Sequence, residues 1–274
     1  MRRLTISLVL VLALLFSVIG TAAAVTNGVP DEGRHPYVGL LIFDVDGVPS
    51  WRCSGALLSP TVVLTAGHCT DGATGARIFM DDDVTAANNS EYPFGGSTSY
   101  EGVAYTYPGY GDTTVPGNGL PAFAYRDIGI VVLSEPVPTS VVDEYAVLPE
   151  AGLVDTLPNK TAVDLVGYGV QYQIPGGGIP PGDRWTGPRI RMYAPTQLVS
   201  GNFVHASEFI RLTANPGNDK GGTCFGDSGG PDLVGGTDVV IGVNSYVTNS
   251  NCSGVTYSSR VDIPEVLEWI ESFL

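Results

Sequence analysis

Short apolar runs, separated by turn-forming residues, recur along most of the chain. Each run is rich in Val, Ile and Leu and is only a few residues long, which is typical of a β-strand rather than of a helix. Glycine, proline, asparagine and aspartate lie between the runs and favour turns. The pattern predicts strands at Tyr37–Phe43, Gly55–Leu58, Val62–Thr65, Ile128–Leu133, Ala162–Val166 and Val239–Val243.

The C-terminal residues follow a helical period instead. Asp262 and Glu265 have the spacing of a capping box at a helix N-terminus. One helical face carries Ile263, Val266, Leu267, Ile270 and Phe273. The segment therefore predicts an amphipathic helix that packs against the body of the protein.

Glycine and proline are abundant, with 36 and 20 residues among 274, and so many turns favour an all-β fold. Residues 134–160 contain four prolines and few strand signals. We place a boundary there between two β-domains, residues 25–145 and 146–274. The stretches 105–126 and 170–188 are predicted to be long loops.

Residues 1–24 have the pattern of a secretory signal peptide. Two arginines form the basic region, Leu8–Ile19 is almost wholly apolar, and Ala22–Ala24 fits the small-residue cleavage rule. A membrane anchor is the alternative, but the apolar run is short for a full span. We therefore expect the protein to be secreted to the extracellular space, with no membrane association after cleavage.

The formal net charge of −15 bears on possible partners. Nucleic-acid binding needs a basic face, so this acidity argues against nucleic acid as a partner. The excess of acidic residues is more typical of a soluble secreted protein.

Four cysteines in an exported chain predict two disulfides. Four cysteines allow three pairings, and the residues alone leave the choice open. The most local pairing joins Cys53 to Cys69 and Cys224 to Cys252. Metal binding is the alternative, but the wide spacings and the lack of a CxxC motif argue against it.

The segment GDSGGP, residues 226–231, places Ser228 between an aspartate and two glycines. A serine hydroxyl is a weak nucleophile at neutral pH, and it needs a base, a group that orients the base, and backbone N–H groups for the developing oxyanion. Neighbouring glycines let a substrate carbonyl approach the backbone. The segment therefore indicates an acyl-transfer site, with a flexible linker as the alternative.

The chain offers few candidate bases, because it has only three histidines: His35, His68 and His205. His68 lies in LTAGHC, at the end of a predicted strand and beside a cysteine that could fix its position. Asp127 begins the apolar run DIGIVVL and could orient a base. Taken singly, such residues are usually structural, and they gain weight only together with Ser228.

The motifs LTAGHC, DIGIVVL and GDSGGP, in that order, resemble the histidine, aspartate and serine motifs of trypsin-like (chymotrypsin-family) serine proteases. The resemblance extends over the whole chain after the signal segment. It implies two packed antiparallel β-barrels, a C-terminal helix and an active site in the cleft between the barrels. It also implies that the protein is a serine endopeptidase.

The resemblance assigns roles to individual residues. Ser228 is the implied nucleophile, His68 the general base and then acid, and Asp127 the group that holds the imidazole. The N–H groups of Gly226 and Ser228 are the implied oxyanion hole. The two family disulfides nearest the site match the local pairing of the four cysteines. No cofactor or metal is implied.

The family's mature chain begins with Ile or Val, whose free ammonium pairs with the aspartate before the nucleophile. VTNG, beginning at Val25, resembles that start, and the acid is Asp227. Signal cleavage after Ala24 then generates the active form directly. A precursor trimmed elsewhere is the alternative.

The resemblance places Gly222 where trypsin has an acid, so a preference for Lys or Arg is not expected. Ser245, Tyr246 and Val247 match one wall of the specificity pocket, and Val247 narrows its entrance. These residues predict cleavage after small or medium apolar residues, with an aromatic preference as the competing reading.

The expected partners are protein or peptide substrates, and the expected state is a monomer. Asp81, Asp82 and Asp83 lie where some family members bind calcium, but a solvated acidic turn is the simpler interpretation. Two alternatives to an endopeptidase remain open. One is an inactive binding protein on the same fold, and the other is an esterase.

Overall fold

The computed structural model describes residues 25–85, 90–112, 125–170, 189–199, 208–215, 220–248 and 252–274. The predicted signal segment, His205 and much of both predicted loops lie outside these ranges. The described strands are β1 (Val29–Pro30), β2 (Val38–Val45), β3 (Val48–Ser59), β4 (Val62–Thr65), β5 (Gly75–Phe79), β6 (Ser99–Thr106), β7 (Gly129–Leu133), β8 (Ala162–Gly167), β9 (Met192–Gln197), β10 (Phe209–Ala214), β11 (Pro231–Val234), β12 (Val240–Val247) and β13 (Gly254–Arg260). The helices are α1 (Gly67–Thr70), α2 (Leu153–Thr156) and α3 (Pro264–Glu271).

Strands β2 to β7 form a closed antiparallel barrel in the order β2-β3-β4-β7-β6-β5. The four strands predicted before residue 134 all lie in it, in β2, β3, β4 and β7. Most of their Val, Ile and Leu side chains are buried in one hydrophobic cluster, which also includes side chains of the second β-structure, while Leu58 and Val132 are partly buried. Strand β6, which was not predicted, alternates between partly buried and exposed residues.

The remaining strands form a second antiparallel sheet in the order β1-β9-β8-β11-β12-β13-β10. An isolated bridge between Leu198 and Leu212 brings the β9 and β10 sides of this sheet together. The predicted all-β class, with two antiparallel β-structures and a C-terminal helix, is confirmed. The boundary after residue 145 stays a prediction. Among the described residues, no helix is long and apolar enough to span a membrane.

The C-terminal helix is where it was predicted, but the predicted capping box is wrong. The N-cap is Ile263, and no side chain caps it. Asp262 instead accepts a hydrogen bond from the backbone N–H of Val154 at 2.7 Å and pairs with Arg260 at 2.9 Å. These tertiary contacts outcompete the local one, because they give a fully buried carboxylate both a charge partner and an N–H donor.

Both disulfides connect the most local cysteines, as predicted. Cys53 pairs with Cys69, and Cys224 pairs with Cys252. The first bond ties β3 to α1, and the second ties the segment before Ser228 to the start of β13. Each bond therefore restrains a loop next to residues that the sequence singles out.

We expect replacement of Cys53 and Cys69 together by serine to lower the free energy of unfolding by about 3 kcal/mol. The bond closes a loop with a sequence separation of 16 residues, and its loss frees the unfolded chain. Urea denaturation checks this, with the Cys224/Cys252 double serine variant as a comparison. A loss well below 1 kcal/mol contradicts the prediction.

Candidate active site

His68 and Asp127 form a buried, two-point contact. The Nδ1 atom of His68 lies 2.7 Å from Oδ2 of Asp127, and the backbone N–H of His68 donates to Oδ1 at 2.6 Å. Asp127 is completely buried, while the side chain of His68 is 29% exposed. The imidazole therefore has one nitrogen fixed inside the protein, and its other edge faces the surface.

The strand register brings these two residues together. Strands β4 and β7 pair with Thr65 opposite Gly129. Asp127 lies two residues before Gly129, and His68 lies in α1, directly after β4. The end of one strand and the start of its neighbour therefore place the two side chains at the same rim of the barrel.

Two serines from the second sheet hold Asp127 in place. Ser245 donates its hydroxyl proton to Oδ2 at 2.5 Å, and the backbone N–H of Asp127 donates to Oγ of Ser259 at 2.9 Å. The carboxylate thus accepts from donors of both β-structures, which fixes its orientation. No motif in the sequence indicates the contact with Ser259.

Ser228 lies in a tight loop that packs against the first barrel. Its carbonyl accepts a hydrogen bond from the N–H of Ser54 at 2.8 Å. The next residue, Gly229, has φ +81°, and a Cβ there would lie 2.1 Å from Oγ1 of Thr65 and 2.4 Å from the carbonyl oxygen of Ser54. Only glycine permits this approach, and the approach brings Ser228 close to the strand that leads to His68.

The structure places all three predicted residues around one region but does not link them all by hydrogen bonds. Among the described residues, Nε2 of His68 contacts Sγ of Cys69 at 3.7 Å and makes no hydrogen bond to the Ser228 hydroxyl. Ser228 and Ser245 both line one cavity, and Ser245 bonds to Asp127. Catalytic hydrogen bonds are often loose without substrate and shorten when it binds.

The environment of His68 raises its pKa above the ordinary value of 6.5. Burial acts first and lowers the pKa, because it disfavours the charged ring. The charge of Asp127 and its hydrogen bond outweigh burial and raise it. The imidazole therefore takes up a proton more readily than a free histidine.

Asp227 is fully buried beside the start of the described chain. Its Oδ1 accepts the N–H of Gly169 and its Oδ2 accepts the N–H of Cys224, both at 2.8 Å. Burial raises its pKa to about 7, against the opposing effects of these donors, of Arg52 and of the Val25 backbone N–H. Asp227 thus lacks a full countercharge within hydrogen-bonding distance among the described side chains.

Val25 is also fully buried, and the segment after it is fixed by backbone pairing. The N–H of Thr26 donates to the carbonyl of Gly222 at 2.8 Å, and the N–H of Gly222 returns a bond at 3.1 Å. The Val25 backbone lies near enough to Asp227 to lower the pKa of that carboxyl, and the pairing of a free Val25 ammonium with Asp227 stays a prediction.

A cavity of about 290 Å³ opens beside Ser228. Three of the four predicted pocket residues, Ser245, Tyr246 and Val247, line it. Sequence reasoning missed Thr223, Cys224, Phe225 and Asn244, which also line it. Gly222 is not among the described lining residues, so its lack of charge does not decide what the cavity binds.

The acidic turn at Asp81–Asp83 is engaged by the protein itself. Asp82 pairs with Arg191, Asp81 accepts from the hydroxyl of Thr98, and Asp83 accepts the N–H of Thr85 at 2.8 Å.

Cys53, His68 and Cys69 are close enough together to resemble a metal-binding group. The two sulfur atoms, however, are joined in a disulfide.

Comparison with known families gives the assignment. A family model described as trypsin matches residues 25–270. The chain belongs to the trypsin family. The match begins at Val25, the residue that the sequence predicts as the mature N-terminus.

Curated relatives cover nearly the whole chain. Serine protease 1 of Drosophila melanogaster is 27% identical over 90% of this chain and 84% of the relative. Proproteinase E of Bos taurus is 27% identical over 84% of this chain and 87% of the relative. Brachyurin of Leptuca pugilator is 26% identical over 93% of this chain and 97% of the relative. The relatives support a peptidase that acts on proteins or peptides.

Solved structures show the same fold. HL collagenase superposes with a TM-score of 0.64 at 17% identity, covering 93% of this chain and 97% of the other. Human heparin binding protein superposes with a TM-score of 0.62 at 19% identity, covering 90% and 95%. One neighbour is named for cleavage and the other for binding, so the fold alone does not decide the activity.

Proposed function

We propose that the protein is a secreted serine endopeptidase that works through an acyl-enzyme. The observation that carries the proposal is the pair of His68 and Asp127 at 2.7 Å, beside a cavity lined by Ser228. A base oriented by a buried acid next to a glycine-flanked serine has the parts that acyl transfer requires.

In the first half of the reaction, the Ser228 hydroxyl oxygen attacks the carbonyl carbon of the scissile peptide bond. Nε2 of His68 takes the hydroxyl proton, while Asp127 stabilises the resulting imidazolium through Nδ1. The tetrahedral intermediate then collapses, the carbon–nitrogen bond breaks, and His68 gives its proton to the leaving amine. The acyl group remains as an ester on Ser228.

In the second half, water replaces the amine. His68 removes a proton from the water, the hydroxide attacks the ester, and the proton returns to Ser228 as the acid product leaves. The N–H groups of Gly226 and Ser228 are the proposed donors to the oxyanion in both halves. The positive φ of Gly226, +97°, supports this, since it requires glycine at that position of the loop.

The cavity beside Ser228 is the proposed site for the side chain on the acyl side of the scissile bond. Tyr246 stacks on Tyr257 with ring centroids 4.7 Å apart, so one wall is rigid and apolar. Val247 lines the cavity and is partly exposed, and it is the proposed residue that narrows the opening. These walls support cleavage after small or medium apolar residues.

The proposal is tested by digestion of a mixed peptide library with the mature protein, read by mass spectrometry. We expect cuts with small or medium apolar residues on the acyl side, absent with the Ser228→Ala variant. Ester substrates with the same acyl groups separate an esterase from a peptidase. A folded protein that begins at Val25 and cuts no peptide would support a binding protein instead.

We further propose that export itself activates the enzyme, because cleavage before Val25 frees an ammonium next to Asp227. Such a group supplies the countercharge that the buried carboxylate lacks. The two disulfides support an oxidising compartment outside the cytoplasm.

We expect one alanine added before Val25 to lower kcat/KM by about 10²-fold or more, the size of an oxyanion-hole defect. The extra residue displaces the ammonium and leaves Asp227 buried without it, which is costly. The measurement compares kcat/KM of the two proteins after intact mass confirms each N-terminus. Val25→Ile, beginning at that residue, is the matched control and should stay active. Full activity of the extended protein contradicts the proposal.

A further inference from the structure

A second cavity, of about 310 Å³, opens on the first barrel. Gly102 lines it and pairs with Leu133 at the end of β7, whereas Asp127 lies just before the start of that strand. Strand residues advance about 3.3 Å each, so the length of β7 places this cavity roughly 20 Å from Asp127. The described residues that line it all differ from those that line the cavity beside Ser228. It is therefore a separate site.

The described side chains around this second cavity carry an excess of negative charge. Arg77 and Asp44 both line it, and Nη2 of Arg77 lies 2.6 Å from Oδ2 of Asp44. Nη1 of Arg77 also donates to the carbonyl of Pro93 at 2.9 Å, so the guanidinium is held by the wall. Glu101 is exposed, lines the same cavity and forms no ion pair with any described residue. The cavity therefore favours a cationic side chain.

Beside this cavity, the exposed face of β6 is apolar. Alternate residues of a strand point the same way, so Glu101, Val103 and Tyr105 share this face. Val103 is 53% exposed and Tyr105 is 42% exposed. The ring of Tyr105 lies 5.1 Å from that of Phe273, and the next residue, Leu274, is 58% exposed. A contiguous exposed apolar surface on a soluble protein usually marks a site of interaction.

Acidic residues border this apolar row at both ends. Glu101 lies at its start in β6, and Glu265 lies in α3 one turn before Trp269, whose ring is 5.1 Å from that of Phe273. Residues three or four apart on a helix are neighbours, so Glu268 lies beside Glu265. These three glutamates are exposed and form no ion pair within the described part of the chain.

A cation close to the aromatic end of the row is already neutralised. Arg126 lies 5.9 Å from the ring centroid of Tyr107, which packs against Trp269 at 5.3 Å. Its Nε pairs with Oε2 of Glu208 at 3.0 Å. The surface from the cavity to α3 is thus apolar in the middle and negative at the edges. A complementary partner is apolar in the middle and positive at its flanks.

We propose that the second cavity and the apolar row of β6 form a docking surface for a protein segment in which lysine or arginine flanks apolar residues. A basic side chain enters the cavity and pairs with Glu101, and apolar side chains of the segment cover Val103 and Tyr105. The net charge of −15 attracts such segments over longer distances. Because this surface is separate from the cavity beside Ser228, docking does not depend on peptidase activity.

Fluorescence anisotropy tests the docking surface in the Ser228→Ala background, where the probe stays intact. The probe is a labelled peptide of alternating lysine and leucine. One companion peptide has glutamate in place of lysine, and the other has serine in place of leucine. We expect saturable binding of the lysine–leucine probe alone, because docking needs both the positive charges and the apolar side chains.

Replacing Glu101 with glutamine and Val103 with serine together is expected to raise the Kd of this probe by about tenfold or more, since both anchoring contacts are lost. Glu101→Gln by itself should raise the Kd by about threefold, as expected for an exposed ion pair. High salt should abolish the effect of Glu101→Gln, because salt screens exposed charges. Binding that the double variant leaves unchanged places the probe elsewhere and overturns the inference.

Glu144→Gln with Val147→Ser is the matched control. Glu144 is exposed and Val147 is 50% exposed, and neither residue lines the second cavity or lies in β6. This control should keep the wild-type Kd. Equal weakening by both double variants means general attraction to an acidic protein and overturns the inference, as does the absence of saturable binding. Thermal unfolding verifies that each variant is folded.

Sedimentation velocity tests the other possible occupant of the docking surface, a second copy of this chain. We expect the wild type to remain a monomer, with the surface free for a basic partner. A dimer that dissociates on replacement of Val103 with serine would show that the apolar row joins two copies. That result would overturn the inference.

Discussion

Replacing Ser228 with alanine is expected to lower peptide-bond turnover by about 10⁵- to 10⁶-fold. The variant keeps the loop, because the backbone contact of residue 228 with Ser54 and the close approach of Gly229 do not involve the hydroxyl. It removes the atom that forms the acyl bond. The residual rate then comes from water that attacks a bound and polarised carbonyl.

Steady-state hydrolysis of a chromogenic peptide measures this loss, with Ser134→Ala as the control. Ser134 is exposed and directly follows β7, so its replacement should leave turnover unchanged. A Ser228→Ala protein that is folded and retains more than about a tenth of the activity would rule out Ser228 as the nucleophile. In that case the catalytic assignment, including the roles of Gly226 and His68, would have to be abandoned.

Replacing Asp127 with asparagine is expected to lower kcat by about 10⁴-fold. The same replacement has an effect of this size in serine proteases that use a serine, histidine and aspartate together. Asp127 accepts three bonds, from the backbone and ring of His68 and from Ser245. An asparagine can accept at only one of its two terminal atoms. Its NH₂ group forces Nδ1 of His68 to accept, so Nε2 carries the proton and cannot act as the base.

The Asp127→Asn replacement should also shift the pH dependence of kcat/KM to lower pH. His68 is a base only when it is neutral, so wild-type kcat/KM rises with pH through a pKa above 6.5. Asp127 is the group that raises this pKa, and burial remains when the charge is lost. The rising limb of the Asp127→Asn profile should therefore lie at lower pH. A limb at the wild-type position would show that Asp127 does not control the ionisation of His68.

Asp262→Asn is a useful comparison for Asp127→Asn. Asp262 is also fully buried, but its partners are Val154 of α2 and Arg260 of β13. Its replacement should lower stability and leave the pH profile in place. The pair of variants thus separates loss of a buried carboxylate from loss of the group that orients the base.

Local sequence information was sufficient to predict the strands in which consecutive side chains are buried. Val62–Thr65 and Ala162–Val166 were predicted within a residue of their observed bounds, because apolar β-branched residues suit strands that are buried on both faces. Strand β6 was not predicted, because none of its residues is fully buried and its sequence has glycine and tyrosine in place of a Val and Ile run.

The sequence by itself determined the class of the fold, the disulfide-capable cysteines and the motifs around His68, Asp127 and Ser228, because these depend on short segments with strong local preferences. Only the tertiary structure decided which residues face the cavity. Gly222 pairs with Thr26 and is not among the described residues that line the cavity, while Asn244 lines it. Their positions depend on how β11, β12 and β13 pair, and strand register between distant segments is set by packing of the whole sheet.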